Sequence, residues 1–239
     1  MASHVFATTH WSVVLSAKDA GNREAGNALE VLCRTYWPPL YAWLRRQGYS
    51  VADAEDLVQG FFEGFLSREA LRDVGQDKGR FRSFLLASLR NHLLTARRNQ
   101  QTQKRGGGAV LLRWDEPGVA ERCEAAVGSA TDADEVFDRV WAETVLERSV
   151  RAVRAEYESS GRGTFFEGVR AWLVREARPG EYAAAAETLG LTEGALAVAV
   201  HRLRARFRAR VREEVAHTVT GPEDIDDEMR YLSRVLSRC

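Results

Sequence analysis

The sequence predicts an all-α protein, and two observations carry that prediction. Strand signals are nearly absent from the 239 residues, because apolar and polar residues seldom alternate and β-branched runs are short. Apolar residues instead recur at intervals of three and four in several segments, as they do on the buried face of an α-helix. We therefore expect two small helical domains joined by a flexible linker.

Three helices are predicted in the first hundred residues. Ala25–Gln47 has apolar residues at helical spacing, and its Pro38-Pro39 pair is expected to kink or interrupt the helix. A capping box that starts at Ser50 introduces a second helix, in which aromatic and aliphatic residues follow the i, i+3, i+4, i+7 pattern. After a polar loop, Phe81–Arg98 is the third helix. Together these helices form the first predicted domain.

The middle of the chain has the composition of a linker. A polar segment ends in three consecutive glycines, which cannot support a stable element, and acidic residues follow it. Helical patterning resumes at Ala133–Ser159 and, after a Ser-Gly-Arg-Gly break, at Thr164–Glu176. The predicted organisation is a first domain over residues 8–100, a linker over 101–134, a second domain over 135–216, and an acidic tail and helix over 217–239.

The charges are segregated along the chain although their sum is zero, with 34 Lys and Arg against 34 Asp and Glu. From Lys78 to Gly108 there are eight basic residues and no acidic residue. From Trp114 to Glu147 there are ten acidic residues and two arginines. This pattern indicates two basic surfaces separated by acidic segments, which a single isoelectric point hides.

Residues 181–212 carry the most informative pattern. Tyr182–Leu189 is an Ala-rich helix, Gly190 suits a turn with positive φ, and Thr192 is placed to cap the next helix. Two helices joined in this way form a helix-turn-helix, whose second helix can enter the major groove of DNA. Arginines without intervening acids could neutralise phosphates: Arg202, Arg204, Arg206, Arg208, Arg210 and Arg212. The alternative is an ordinary helical hairpin with a solvated arginine face.

The earlier basic segment, Lys78–Arg98, mixes cations with aromatic residues. Aromatic faces stack unpaired bases for roughly 1–3 kcal/mol per base, while Arg and Lys hold the backbone. A surface that opens or holds single-stranded DNA needs both kinds of residue. In the alternative interpretation, Phe81 and Phe84 are core residues and the cations form a solvated face.

Three motifs, taken in order, resemble those of bacterial sigma factors of the extracytoplasmic-function type. The sequence AEDLVQGFF at residues 54–62 resembles the region with which these proteins grip the clamp of RNA polymerase. Residues 84–98 resemble the following helix, which in that family helps to melt and read the promoter −10 element. The TEG at 192–194 with the HRLR at 201–204 is similar to the family's −35-reading helix-turn-helix. The resemblance covers residues 20–100 and 135–215.

The resemblance implies an alternative sigma factor that binds RNA polymerase core and directs promoter-specific transcription initiation. Polymerase binding would use Asp53, Asp56, Gln59 and Glu63. The −10 element would be held by Lys78, Arg80, Arg82, Phe84, Arg90, Asn91, Arg97 and Arg98. The −35 element would be read by Thr192, Glu193, Ala197, Val198, His201, Arg202, Arg204, Arg206 and Arg208. The implied partners are promoter DNA and the clamp and flap regions of core polymerase, and an anti-sigma factor or other regulatory partner is left open.

The main alternative function is a conventional helix-turn-helix regulator that does not bind core polymerase. An enzyme is not expected, because the five histidines lack metal-ligand spacing and no phosphate loop or nucleophile motif occurs; neither a metal nor a cofactor is expected. The three cysteines are too few and too scattered for a disulfide framework. The sequence suggests no signal peptide and no membrane span, which predicts a cytoplasmic protein.

The acidic C-terminal segment leaves three alternatives open. Its final helix carries an apolar stripe made of Met229, Leu232, Val235 and Leu236. This helix could pack on the second domain, cover the basic helix of that domain, or bind a regulator.

Overall fold

A computed structural model describes residues 23–66, 81–100, 118–129, 132–219 and 221–238. Every regular element in these ranges is helical, so the predicted all-α fold is confirmed there. The α-helices are α1 (Arg23–Arg46), α2 (Val51–Leu66), α3 (Phe81–Gln100), α4 (Val119–Ser129), α5 (Ala133–Ser159), α6 (Gly163–Val169), α7 (Glu181–Leu189), α8 (Glu193–Ala216) and α9 (Ile225–Leu236). Two short 3₁₀ helices span Arg170–Leu173 and Pro222–Asp224.

The prolines expected to kink or interrupt α1 lie inside it, and the helix continues without a break through Pro38 and Pro39. A proline inside a helix costs about 3 kcal/mol, because it removes a backbone hydrogen bond and crowds the preceding turn. Burial offsets this cost, since Tyr36 and Leu40 on either side of the prolines have no exposed surface. Packing of α1 therefore overrides the local preference.

The described residues form two compact units. The first takes the residues up to Thr144 and those from Val215 onward, and the second is Val145–Glu214. Within the first unit, α1 packs against α2, α3 and α4. Its core contains Leu40, Phe62 and Leu85, all fully buried, and the rings of Tyr36 and Phe81 meet edge to face with their centroids 4.9 Å apart.

Two segments lie differently from the predicted organisation. Residues 119–129, inside the predicted linker, form α4, which packs along α1 with Val119, Cys123 and Ala126 buried. These three apolar positions recur at helical spacing, but the acidic residues around them gave the segment the composition of a linker. The C-terminal helix α9 belongs to the first unit, and not to the second domain as one of the alternatives had it.

Arg82 joins α3 to α5 and α9 inside the first unit. Its Nε donates to Oε1 of Glu228 at 2.6 Å, and its Nη1 donates to Oδ1 of Asp138 at 3.2 Å. The guanidinium carbon lies 3.8 Å from the centroid of the Tyr231 ring, and the Tyr231 hydroxyl donates to Asp138. Only 9% of the Arg82 side chain and 1% of the Glu228 side chain are exposed. Burial is the largest single influence and opposes the charged form of Arg82, but the attraction and hydrogen bond of Glu228 and the attraction of Asp138 and Tyr231 together outweigh burial and raise the arginine's pKa.

The second unit is built around α8. Leu196, Val200 and Leu203 on its inner face are buried together with Phe166 of α6 and Trp172. The segment 164–176, predicted as one helix, is α6 followed by the 3₁₀ helix Arg170–Leu173. The tighter winding places the Trp172 ring edge to face with that of Tyr182 in α7, with centroids 4.8 Å apart.

Replacing Glu228 by glutamine should destabilise the first unit by about 3–5 kcal/mol, because the buried Arg82 charge then keeps only its longer contact with Asp138. The measurement is urea unfolding followed by tryptophan fluorescence, with Trp141 lying beside Arg82 at 5.5 Å. Asp227→Asn is the matched control. Its carboxylate pairs with Arg230 in the same helix but is 54% exposed, so the loss should stay below about 1 kcal/mol. Equal effects of the two substitutions would contradict the structural importance of the buried pair.

Candidate functional site

The outer face of α2 presents the predicted polymerase-binding residues. Asp53 lies in the first turn, where its backbone N–H donates to the Ser50 hydroxyl at 3.1 Å and its carboxylate accepts from the same hydroxyl at 2.6 Å. Ser50 therefore caps the helix as predicted. The Asp53 carboxylate, however, binds the hydroxyl of Ser50 and not the Ser50 backbone N–H that a capping box would use. Asp56 is exposed, and the half-buried Gln59 donates to Glu63 at 2.9 Å.

This face stays polar because most of the apolar residues of α2 turn inward, although Val51 in the first turn is exposed. Ala54, Val58 and Phe62 have no exposed surface, and Phe61 and Phe65 are nearly as buried. The burial of that stripe fixes the rotation of the helix about its axis. The four predicted residues consequently lie on the side away from the core, where a partner protein can reach the carboxylates and the amide.

The predicted −10 residues are distributed unevenly on α3. Arg82 is buried in the ion pairs described above, so its position corrects the prediction that it contacts DNA. Phe84 is half-buried, with its ring centroid 6.0 Å from that of Phe65, and Arg90 and Asn91 are exposed. Lys78 and Arg80, and the side chains of Arg97 and Arg98, lie outside the described residues.

Arg90 makes a two-oxygen ion pair with Asp134 of α5. Its Nη2 lies 2.5 Å from Oδ1 and 2.7 Å from Oδ2, and the Trp43 indole N–H donates to Oδ1 at 2.9 Å. Partial burial of Asp134 opposes its charge, but the hydrogen bonds from Arg90 and Trp43 lower the pKa of this carboxyl. Asp134 is not among the residues predicted from the sequence, since no local pattern signals a partner 44 residues away.

The second unit contains two helices joined by a tight turn. Gly190 has φ of +66°, a conformation that favours glycine, and Leu191 N–H donates to the Ala186 carbonyl at 2.8 Å. Thr192 caps α8 by accepting from Ala195 N–H at 3.2 Å. The axes of α7 and α8 meet at 96°. That angle lies within the range of helix-turn-helix units.

Most predicted −35 residues lie on the outer side of α8. Thr192, Glu193, Val198, His201, Arg202, Arg206 and Arg208 are exposed, and Ala197 is half-exposed. Arg204 is different, because its Nε and Nη2 each donate at 2.7 Å to the carbonyls of Trp172 and Arg175. Arg206 pairs with Glu156 of α5, while most of its side chain remains accessible. Arg204 therefore holds the helices of the second unit together, which the arginine spacing alone did not indicate.

Glu181 at the start of α7 joins the turn before it to the unit's core. Its Oε2 accepts from Arg175 at 2.7 Å, from Arg178 N–H at 2.9 Å and from the Trp172 indole at 3.1 Å. The hydrogen bond from Arg175, followed by the other two, lowers the pKa of Glu181 to about 2. The charged form is thus the one that the folded unit stabilises.

The stabilisation from Glu181 should be complete above its ordinary pKa of 4.5 and disappear as the pH falls towards about 2. Glu181→Gln should therefore lower the unfolding temperature of the second unit at neutral pH and differ little from the parent near pH 2. Glu187→Gln, an exposed acid later in the same helix, serves as control. A difference between parent and Glu181→Gln that stays constant over this pH range would contradict the assignment.

No single helix in the described ranges is long and apolar enough to cross a membrane; α7 and α8 meet that test of length and composition only as a bent pair. Residues 32–103 match the family model for sigma-70 region 2. No curated protein and no solved structure gave a match to the chain. Sigma-70 region 2 acts in RNA polymerase-directed transcription initiation, with core polymerase and promoter DNA as partners, and the family is not one of enzymes. The part of the chain that contains α2, α3 and most of α1 is therefore similar to region 2 of sigma-70 factors.

Proposed function

We propose that this protein is an alternative sigma factor of the extracytoplasmic-function type, which binds core polymerase and directs initiation at its own promoters. The observation that carries the proposal is the region 2 match, together with the exposed acidic and amide face of α2 inside it. As a partner of bacterial RNA polymerase, it acts in the cytoplasm. The second unit supplies the additional DNA contact that promoter choice needs.

Core binding uses the outer face of α2. Asp53 and Asp56 offer carboxylates for charge-assisted hydrogen bonds, and the amide of Gln59 is oriented by Glu63. Charged groups at a protein interface select the partner and fix the register of binding. We assign this face to the clamp of the polymerase.

Contact with the −10 element uses the exposed side of α3. Arg90 and Asn91 are accessible there, and Leu94 on the next turn is 56% exposed. A cation with an amide can bind the backbone and the edge of an unpaired base. Arg82 supports this surface from inside by joining α3 to α5 and α9.

Contact with the −35 element uses α8 as the recognition helix. The capped start of α8 and its 96° angle to α7 support this assignment. Val198, His201 and Arg202 then face base edges, where Arg202 suits the two acceptors of guanine. Arg208, exposed two turns beyond Arg202, contacts phosphate.

The test of the proposed function is transcription in vitro by core polymerase with and without this protein, on a library of genomic fragments. Initiation at discrete sites only when the protein is present supports a sigma factor. A conventional regulator would bind duplex DNA by itself and start no transcripts with core polymerase alone.

Asp56→Arg combined with Gln59→Ala should abolish co-purification with core polymerase while the helical circular dichroism stays unchanged. The expected loss of binding free energy is several kcal/mol, because the introduced arginine would repel a positively charged group of the polymerase at a desolvated contact. Glu121→Arg combined with Gln47→Ala is the matched control, because it also replaces an acid by arginine and a glutamine by alanine, at exposed positions outside α2. Co-purification of both double variants at parental levels would remove the clamp assignment from α2.

Arg202→Ala and Arg208→Ala should affect DNA binding in different ways. If Arg202 reads a base edge, its loss should cost about 1–3 kcal/mol on selected promoter duplexes and much less on random duplexes. Loss of Arg208 should weaken both kinds of DNA alike and reduce the salt slope by about one. Fluorescence anisotropy over a salt series measures both effects, and the same loss on both DNAs for both variants would contradict the groove-facing assignment.

A further inference from the structure

Several arginines inside the region 2 match are paired with carboxylates that lie outside it. Arg45 Nε lies 2.7 Å from Oε1 of Glu124 in α4. Arg82 is held by α5 and α9, and Arg90 by Asp134 of α5. Segments outside the region 2 match thus supply carboxylates that pair with arginines inside it.

Exposure separates these pairs into two kinds. The Arg82–Glu228 pair is buried, and its separation would leave charges away from water. The Arg90–Asp134 pair is open, with 48% and 56% of the two side chains exposed. An exposed pair contributes at most about fivefold to an equilibrium constant. Another anion can therefore displace Asp134 from Arg90, whereas the buried pair persists.

Asp134 is positioned for this contact before any ligand arrives. It lies in the first turn of α5, where the helix dipole favours an acidic side chain. The Trp43 indole fixes Oδ1, so both carboxylate oxygens point at the Arg90 guanidinium. A cleft of about 200 Å³ beside the pair, lined also by Ser83 and Leu86, leaves room for an incoming group.

We propose that Asp134 competes with nucleic-acid phosphate for Arg90, so that the intact pair weakens binding of single-stranded DNA by the first unit. The inference rests on the proposed function, because it assumes that the exposed side of α3 contacts the opened promoter strand. The Asp134 carboxylate offers the Arg90 guanidinium the same kind of anionic oxygen that a phosphate offers. In the parent, strand binding at Arg90 then exchanges one anion for another, so that the Asp134 carboxylate set free offsets the counterion released from the phosphate and the contact adds little to the salt dependence.

Binding of a labelled oligodeoxythymidine by the full-length protein, measured by fluorescence anisotropy, tests this proposal. Asp134→Asn keeps an acceptor for Trp43 but removes the charge, and it should tighten binding by up to about fivefold. The salt slope should steepen by about 0.7, the value for one further phosphate contact on a single strand. Asp132→Asn is the matched control, since it removes the same charge two residues away and keeps the cap on Glu135 N–H.

Combining Asp134→Asn with Arg90→Ala tests whether Asp134 acts through Arg90. In the Arg90→Ala background, Asp134→Asn should have no effect on strand affinity, because the cation that it releases is absent. A gain that persists without Arg90, an equal gain for Asp132→Asn, or unchanged affinity for Asp134→Asn would each overturn the competition. If the parent directs transcription with core polymerase while Asp134→Asn binds the oligonucleotide no better, only the competition fails. If the parent and every variant show no strand binding and no initiation, both proposals fail.

Discussion

The buried ion pairs of Arg82 are the constraint on which the first unit depends. They join a helix of the region 2 match to α5 and to α9 near the C-terminus, which lies 146 residues further along the chain. A guanidinium at this depth needs its counter-charges, because an unpaired buried charge costs several kcal/mol. Residues 225–236 are consequently part of the core of the first unit. The position of α3 depends on these ion pairs, and so does the orientation of its exposed side, which we assign to DNA.

Arginines that are bound by acceptors from distant parts of the chain also occur in the second unit. In the second unit, Arg204 is fixed by backbone carbonyls and Glu176, and Arg210 by Glu156 and Glu213. The arginines of α8 look equivalent in the sequence, but some of them stabilise the second unit and others remain accessible to solvent. A basic run overstates the charge available to phosphate whenever distant carboxylates bind part of it.

Exposure decides whether such a contact is structural or exchangeable. Glu228 is almost inaccessible to water, so its bond to Arg82 persists through any binding event that leaves the unit folded. Asp134 faces solvent, and its bond to Arg90 is weak enough for a competing anion to replace it. The two pairs lie on the same helix α3, yet one supports the surface and the other controls access to it.

Local patterning in the sequence determined most of the helices and the order of the motifs. Ala133–Ser159 was predicted with the bounds that α5 has, and the cap at Thr192 and the turn at Gly190 were predicted from residues within one helical turn of them. The polar face of α2 followed in the same way from helical spacing. Only the tertiary structure decided that α4 packs on α1, that α9 joins the first unit, and that Arg82 and Arg204 are structural. The reason is physical: helical periodicity and capping act over a few residues, whereas the partner of a buried charge is chosen by packing, which brings together residues at any distance along the chain.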